Sequence, residues 1–168
     1  MPADPSAEKG FWPLFAAITA EEGGRIYARY DGAAITFADL DRMSASLAAN
    51  LFALGAARGD RIAVMMRNSP ASLALIFAIA RAGLVWVPVN AALRGEGLRH
   101  VLTHADPRVL VADAEALPRI DESGAALAGV PRVAAGDPAA PLRLEPMLDG
   151  DGRLDAPPLA PQDLFAIM

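Results

Sequence analysis

Residues 59–90 read G-D-R-I-A-V-M-M-R-N-S-P-A-S-L-A-L-I-F-A-I-A-R-A-G-L-V-W-V-P-V-N. Arg61–Met66 is a short apolar run of strand length. Ser69 can cap a helix whose first position is Pro70, where a missing N–H costs nothing. Ala71–Ala82 supplies good helix formers with an apolar surface nearly all round, and Gly83 suits the left-handed stop. Leu84–Val89 then reads as a second buried strand. Two strands that are apolar throughout, joined through a helix, predict a parallel sheet covered on both faces.

The neighbouring segments fit around that unit. Phe11–Glu22 is predicted to be a helix with Phe11, Leu14, Phe15 and Ile18 on one face, ended by Gly23-Gly24. Arg25–Tyr30 and Ala33–Ile35 flank Asp31-Gly32, a pair that supplies the positive φ values of a tight hairpin turn. In Thr36–Leu54, Thr36 is the N-cap and Asp39 places a favourable charge in the first turn. Phe37, Leu40, Met43, Leu47, Leu51 and Leu54 recur with a period near 3.6, and Gly55 closes that helix. Gly95–His104 forms a further helix, Asp106-Pro107 breaks it, and Arg108–Ala112 is another apolar strand. Helices alternating with strands from Thr36 to Ala112 predict an α/β fold: a doubly wound, mostly parallel sheet with helices on both faces, plus the small β-hairpin.

Composition changes after Asp113. Ala114–Ala128 is expected to be a loose helix interrupted by Pro118. Residues 131–161 are rich in Pro, Gly, Asp and Ala, with strand candidates at Arg132–Ala134 and Leu142–Glu145. The expected organisation is an α/β subdomain over 1–113, then an irregular segment over 114–168 that ends in a strand. That last strand, Asp163–Met168, stops at its most apolar point, so the 168 residues are expected to be a fragment.

Bulk properties exclude several function classes. The chain has a net charge of −5 and no Lys/Arg run, which argues against nucleic-acid binding. It contains no cysteine, hence no disulfide or thiolate metal site. Met1-Pro2-Ala3-Asp4-Pro5 lacks the basic and apolar regions of a signal peptide, and a cytoplasmic location is expected. Ala71–Val89 is long and apolar, but Arg81, Gly83 and Pro88 interrupt it, so no membrane span is expected. Hydrophobic residues make up 54% of the chain, above the roughly 45–50% usual for soluble domains, as if some apolar surface were to meet further polypeptide.

Single motifs carry little chemistry. Gly95-Glu96-Gly97 follows a strand and opens a helix, but His100 stands where a phosphate loop needs its third glycine. His100 and His104 share a helix face at zinc-ligand spacing, yet H-V-L-T-H lacks a metalloprotease's glutamate, and the expectation is two surface histidines. Asp149-Gly150-Asp151-Gly152-Arg153 begins like a calcium loop, but Arg153 occupies a ligand position. Ser44, Ser46, Ser69, Ser72 and Ser123 show no nucleophile elbow. No residue is therefore assigned a catalytic, cofactor-binding or metal role. Asn90 and Arg94, at the carboxyl end of a predicted strand, are the places where such a sheet tends to put ligand contacts.

A wider pattern emerges from residues taken in order. Ile35-Thr36-Phe37-Ala38-Asp39-Leu40, Leu47-Ala48, Leu54-Gly55 and Gly59-Asp60-Arg61-Ile62-Ala63-Val64 are followed by Asn68-Ser69-Pro70 and Ala82-Gly83. Val87-Pro88-Val89-Asn90, Leu93 and Val109-Leu110-Val111-Ala112-Asp113 continue the series. The series resembles the N-terminal part of the adenylate-forming (AMP-dependent) synthetases and ligases, most closely acyl-CoA synthetases, over about residues 12–113 and again at Asp163–Met168. The resemblance implies that a carboxylic acid reacts with ATP and Mg²⁺ to give an acyl-adenylate and pyrophosphate, and that CoA then displaces AMP. It implies a phosphate-cradling loop directly after the strand resembling Asp163–Met168, so the 168 residues alone are expected to be inactive. The implied partners are the remainder of the polypeptide and a small carboxylic acid, with a homo-oligomer left open. Two other readings stand beside it: a stand-alone α/β binding or interaction module, and an adenylating domain that loads a carrier protein.

Overall fold

The computed structural model of the chain describes residues 11–150, 152 and 163–167. Met1–Gly10, Asp151, Arg153–Gln162 and Met168 lie outside the described residues, and with them the N-terminal stretch, part of the Asp149–Arg153 motif and the last residue of the terminal strand.

Helix α1 (Phe11–Glu22) leads into a hairpin of β1 (Ile26–Tyr30) and β2 (Ala33–Thr36), paired antiparallel. Asp31 and Gly32 take φ of 50° and 80°, the two positive values of a primed hairpin turn. Thr36 then caps α2 (Phe37–Ala53). Its hydroxyl accepts the Asp39 N–H at 3.1 Å, and the Asp39 carboxylate accepts the Thr36 N–H at 3.1 Å. This reciprocal pair satisfies donors that a helix start otherwise leaves orphaned.

The main sheet contains β3 (Arg61–Met65), β4 (Val85–Pro88), β5 (Val109–Asp113) and β6 (Arg132–Ala135), all parallel, in the order β4-β3-β5-β6. Helix α3 (Pro70–Arg81) joins β3 to β4, and α4 (Gly95–Ala105) joins β4 to β5. Ser69 caps α3 through a reciprocal bond with Ser72, and Pro70 stands in the first turn. The helix ends at Gly83, whose φ of 63° only glycine adopts without strain. Residues 163–167 return beside β4: the Trp86 N–H donates to the Phe165 carbonyl at 2.7 Å, and the Ile167 N–H donates to the Trp86 carbonyl at 3.0 Å.

Strand alternation divides the interior into two cores. Ile62, Val64, Val109, Val111 and Val133 share one core with α2 and α3, where Leu40, Leu47, Leu75 and Ile79 are buried. Ala63, Met65, Leu110 and Ala112 share the other with Leu98 and Leu102 of α4. Each large aliphatic side chain so buried contributes about 1.5–3 kcal/mol, which explains why strands apolar on both faces fold here. The expected α/β sheet, its helical cover on both faces and the hairpin are all present.

The structure corrects the reading beyond Asp113 in two places and bears it out in a third. Pro118 opens α5 (Leu117–Glu122), after a 3-10 turn over Ala114–Ala116, instead of interrupting a longer helix. Proline fits a first helical turn, where its missing N–H has no intrahelical partner to lose. Leu142–Glu145 is not a strand. It makes one bridge, Ala134 with Arg143, and α6 (Glu145–Leu148) begins at once, with a proline in its first turn. The Arg132–Ala134 candidate is realised as β6, a full member of the sheet with Val133 and Ala134 buried, so regular structure continues past residue 113.

Candidate functional site at the carboxyl end of the sheet

Parallel sheets bind ligands where adjacent strands send their connections in opposite directions. That switch point lies between β3 and β5. The chain leaves β3 over one face towards β4, returns by α4 over the other face to β5, and continues outward to β6. A cleft of about 460 Å³ opens there, lined by Met66, Arg67, Ser69, Asp113, Glu115, Gly136 and Glu145 among others.

Its polar groups are tied to one another. The Arg67 N–H donates to Asp113 Oδ2 at 2.9 Å, and the Arg67 guanidinium reaches Asp113 at 3.4 Å and Glu115 at 3.3 Å. Glu145 accepts the Gly136 N–H at 2.7 Å from the loop after β6. Three carboxylates against one already paired guanidinium give the cleft an acidic rim. Such a rim repels a polyphosphate, so these residues do not fit the phosphates of ATP. Among the described residues, no group of three or more His, Cys, Asp or Glu side chains is arranged to hold a metal ion.

Asn90 and Arg94 do not line this cleft. The Asn90 side chain accepts the Ala92 N–H at 2.8 Å and shapes the turn after β4. Arg94 is the extended residue before α4 and makes no capping bond with its side chain. At Gly95-Glu96-Gly97, Glu96 pairs with Arg99, whose hydrogen bond holds the carboxyl below the usual carboxylate range. A fixed negative charge in that first turn opposes phosphate binding at Gly95. The serine hydroxyls are also committed to backbone groups. Ser44 donates to the Asp41 carbonyl, Ser46 to that of Met147 and Ser123 to that of Ile120, while Ser69 and Ser72 form the α3 cap. Asp149 of the calcium-like motif pairs with Arg42 at 3.1 Å.

Arg67, Glu115 and Glu145 escaped the sequence reading. The usable signal was positional: Arg67 and Asp113 each stand where a buried strand first meets water at its carboxyl end.

The described architecture is a parallel α/β sheet with an acidic crevice at its carboxyl end, where the single guanidinium is already paired with carboxylates. Residues 15–168 match the family of AMP-binding enzymes, and the chain belongs to that family. A feruloyl-CoA synthase of Amycolatopsis is 38% identical over 102 residues, 61% of this chain and 20% of that protein. An indoleacetate–CoA ligase of Aromatoleum aromaticum is 34% identical over 142 residues, 84% of this chain and 28% of that protein. Among solved structures, a Rhodopseudomonas palustris protein assigned as a long-chain-fatty-acid CoA ligase superposes with a TM-score of 0.83 at 27% identity. That match covers 92% of this chain and 40% of the other. The chain thus spans between a fifth and two fifths of these relatives and corresponds to the N-terminal region of acyl-CoA ligases. No helix among the described residues is long and apolar enough to cross a membrane.

Proposed function

We propose that the chain serves as the N-terminal scaffold of an AMP-forming carboxylic acid–CoA ligase. That enzyme converts a carboxylic acid, ATP and CoA into acyl-CoA, AMP and pyrophosphate through an acyl-adenylate. The observation that carries this reading is the family match over residues 15–168, made by a chain whose relatives are CoA ligases. The relatives act on dissimilar acids, a cinnamate-type acid and an indole acid by their names, so the shared N-terminal region is assigned to support of the reaction and not to choice of the acid.

Within that role the 168 residues provide a rigid sheet and no phosphate chemistry of their own. The crevice at the switch point is acidic and internally paired, whereas stabilising the α-phosphate during adenylyl transfer requires cationic groups or a metal aimed at its oxygens. ATP and CoA are accordingly assigned to the whole ligase, with Mg²⁺ as its metal, and none is routed through the crevice. The working partners are the remainder of the ligase polypeptide and the acid.

The test is a thioester-forming assay of the complete gene product against short, medium, aromatic and dicarboxylic acids, with CoA and with a carrier protein as alternative acceptors. Acyl-CoA formation with at least one acid is expected. Loading of the carrier protein alone replaces the CoA reading, and absence of adenylate with every acid removes the ligase reading. The 168-residue chain by itself should release no pyrophosphate above background.

A further inference from the structure

We propose that His100 and His104 form a surface chelate on α4 for one divalent ion of the Ni²⁺, Cu²⁺ and Zn²⁺ class. Both imidazoles are exposed on the outward side of the helix, opposite Leu98 and Leu102, which pack against the sheet. One helical turn brings their ring centres within 4.1 Å, with the planes tilted by 37°. A metal bound at about 2.0–2.1 Å from each ring holds two such nitrogens about 3 Å apart, within reach of small rotations of rings already this close.

The second observation concerns the tautomer. His104 Nδ1 lies 3.1 Å from the His100 carbonyl oxygen. A carbonyl can only accept, so Nδ1 carries a hydrogen, and in the neutral ring Nε2 is the nitrogen that keeps the lone pair a metal needs. Fixing the ligating nitrogen by a hydrogen bond from the other ring nitrogen is how protein histidines are commonly oriented towards metals. Glu96 stands one turn before His100, but Arg99 engages both of its carboxylate oxygens. The chelate therefore offers two nitrogen ligands and leaves the remaining positions to water. Such a site exchanges its ion readily, and its imidazoles favour borderline transition metals over Mg²⁺.

The test uses the untagged chain and NiCl2, followed by calorimetry, with H100A and H104A as variants. Saturable binding of one Ni²⁺ per chain is expected, weakened about ten-fold or more by either substitution. With Cu²⁺, electron paramagnetic resonance should show coupling to two imidazole nitrogens, reduced to one in H100A. An excess of Mg²⁺ should leave Ni²⁺ binding unchanged. The proposal is overturned by absence of saturable Ni²⁺ binding, by affinity that neither variant lowers, or by displacement of Ni²⁺ with Mg²⁺.

Discussion

The Asp113 carboxylate, at the end of β5, accepts the backbone N–H of Arg67, just beyond β3, at 2.9 Å. One hydrogen bond thereby ties together the two strands whose connections part at the switch point. The Asp113 side chain is only 18% exposed, so the bond works in a partly dry setting, where an unmet donor is costly. Asp113→Ala is expected to lower stability by about 1–2 kcal/mol, and Asp113→Asn by less, because the amide oxygen can still accept. Urea midpoints with unchanged slopes would read this directly. Equal midpoints for D113A and the parent chain would show that the bond holds nothing.

The cap of α2 gives a stability dependence on acid pH. Hydrogen bonds from the Thr36 hydroxyl and then the Thr36 N–H hold the Asp39 carboxyl below its ordinary value. A carboxyl depressed in the folded state binds its proton less readily there than in the unfolded chain. Its contribution is therefore present in full above the ordinary carboxylate value, near pH 4, and is lost as pH falls through the depressed one. Asp39→Ala should separate from the parent chain at pH 6, and the two should converge towards pH 2. Thr36→Ala should cost about 1 kcal/mol at pH 6. A gap between D39A and the parent that stays constant with pH would contradict the assignment.

An apolar flank is open beside the sheet edge. Phe11, Leu14 and Leu164 are 54%, 50% and 60% exposed, and Phe11, Tyr27, Ile76, Phe77 and Phe165 line a cleft of about 350 Å³ with hardly a polar atom. Exposed apolar surface of this kind marks an interaction site on a soluble chain. Under the proposed scaffold role, it is where further ligase polypeptide would pack. The 168-residue chain should bind a fluorescent hydrophobic dye or self-associate, and Leu164→Ser should weaken the signal without lowering the unfolding midpoint. A monodisperse monomer that binds no dye would count against an open flank.

Much of the fold was legible because its signals are local. Thr36 and Asp39, or Ser69 and Ser72, lie three residues apart and mark helix starts by direct hydrogen-bond chemistry. Asp31-Gly32 specifies its turn through backbone φ alone. Pro118 misled because a proline ends one helix or opens another according to where its turn begins, and that depends on the strand packed before it. The Leu142–Glu145 run has apolar positions at strand spacing, yet only Arg143 makes a bridge, beside Ala134. The cleft was legible only as a position: Arg67 and Asp113 end buried strands, but Arg67, Asp113 and Glu145 are separated by tens of residues, and no spacing rule connects them.

Residues 59–90 by themselves determined a strand, a capped helix and a second strand, and with them the parallel sheet. Continuous apolar runs, caps and glycine stops act over a few residues and need no distant partner. Only the tertiary structure decided the strand order β4-β3-β5-β6, the inclusion of β6 and the switch point between β3 and β5. Strand order follows from which faces α3 and α4 cover, a long-range packing result that depends on burying both sides of the sheet at once. Pairing of Arg67 with Asp113 and the approach of His100 to His104 have the same origin at two scales. The helix repeat makes the second foreseeable from spacing, while the first exists only because two strands lie side by side.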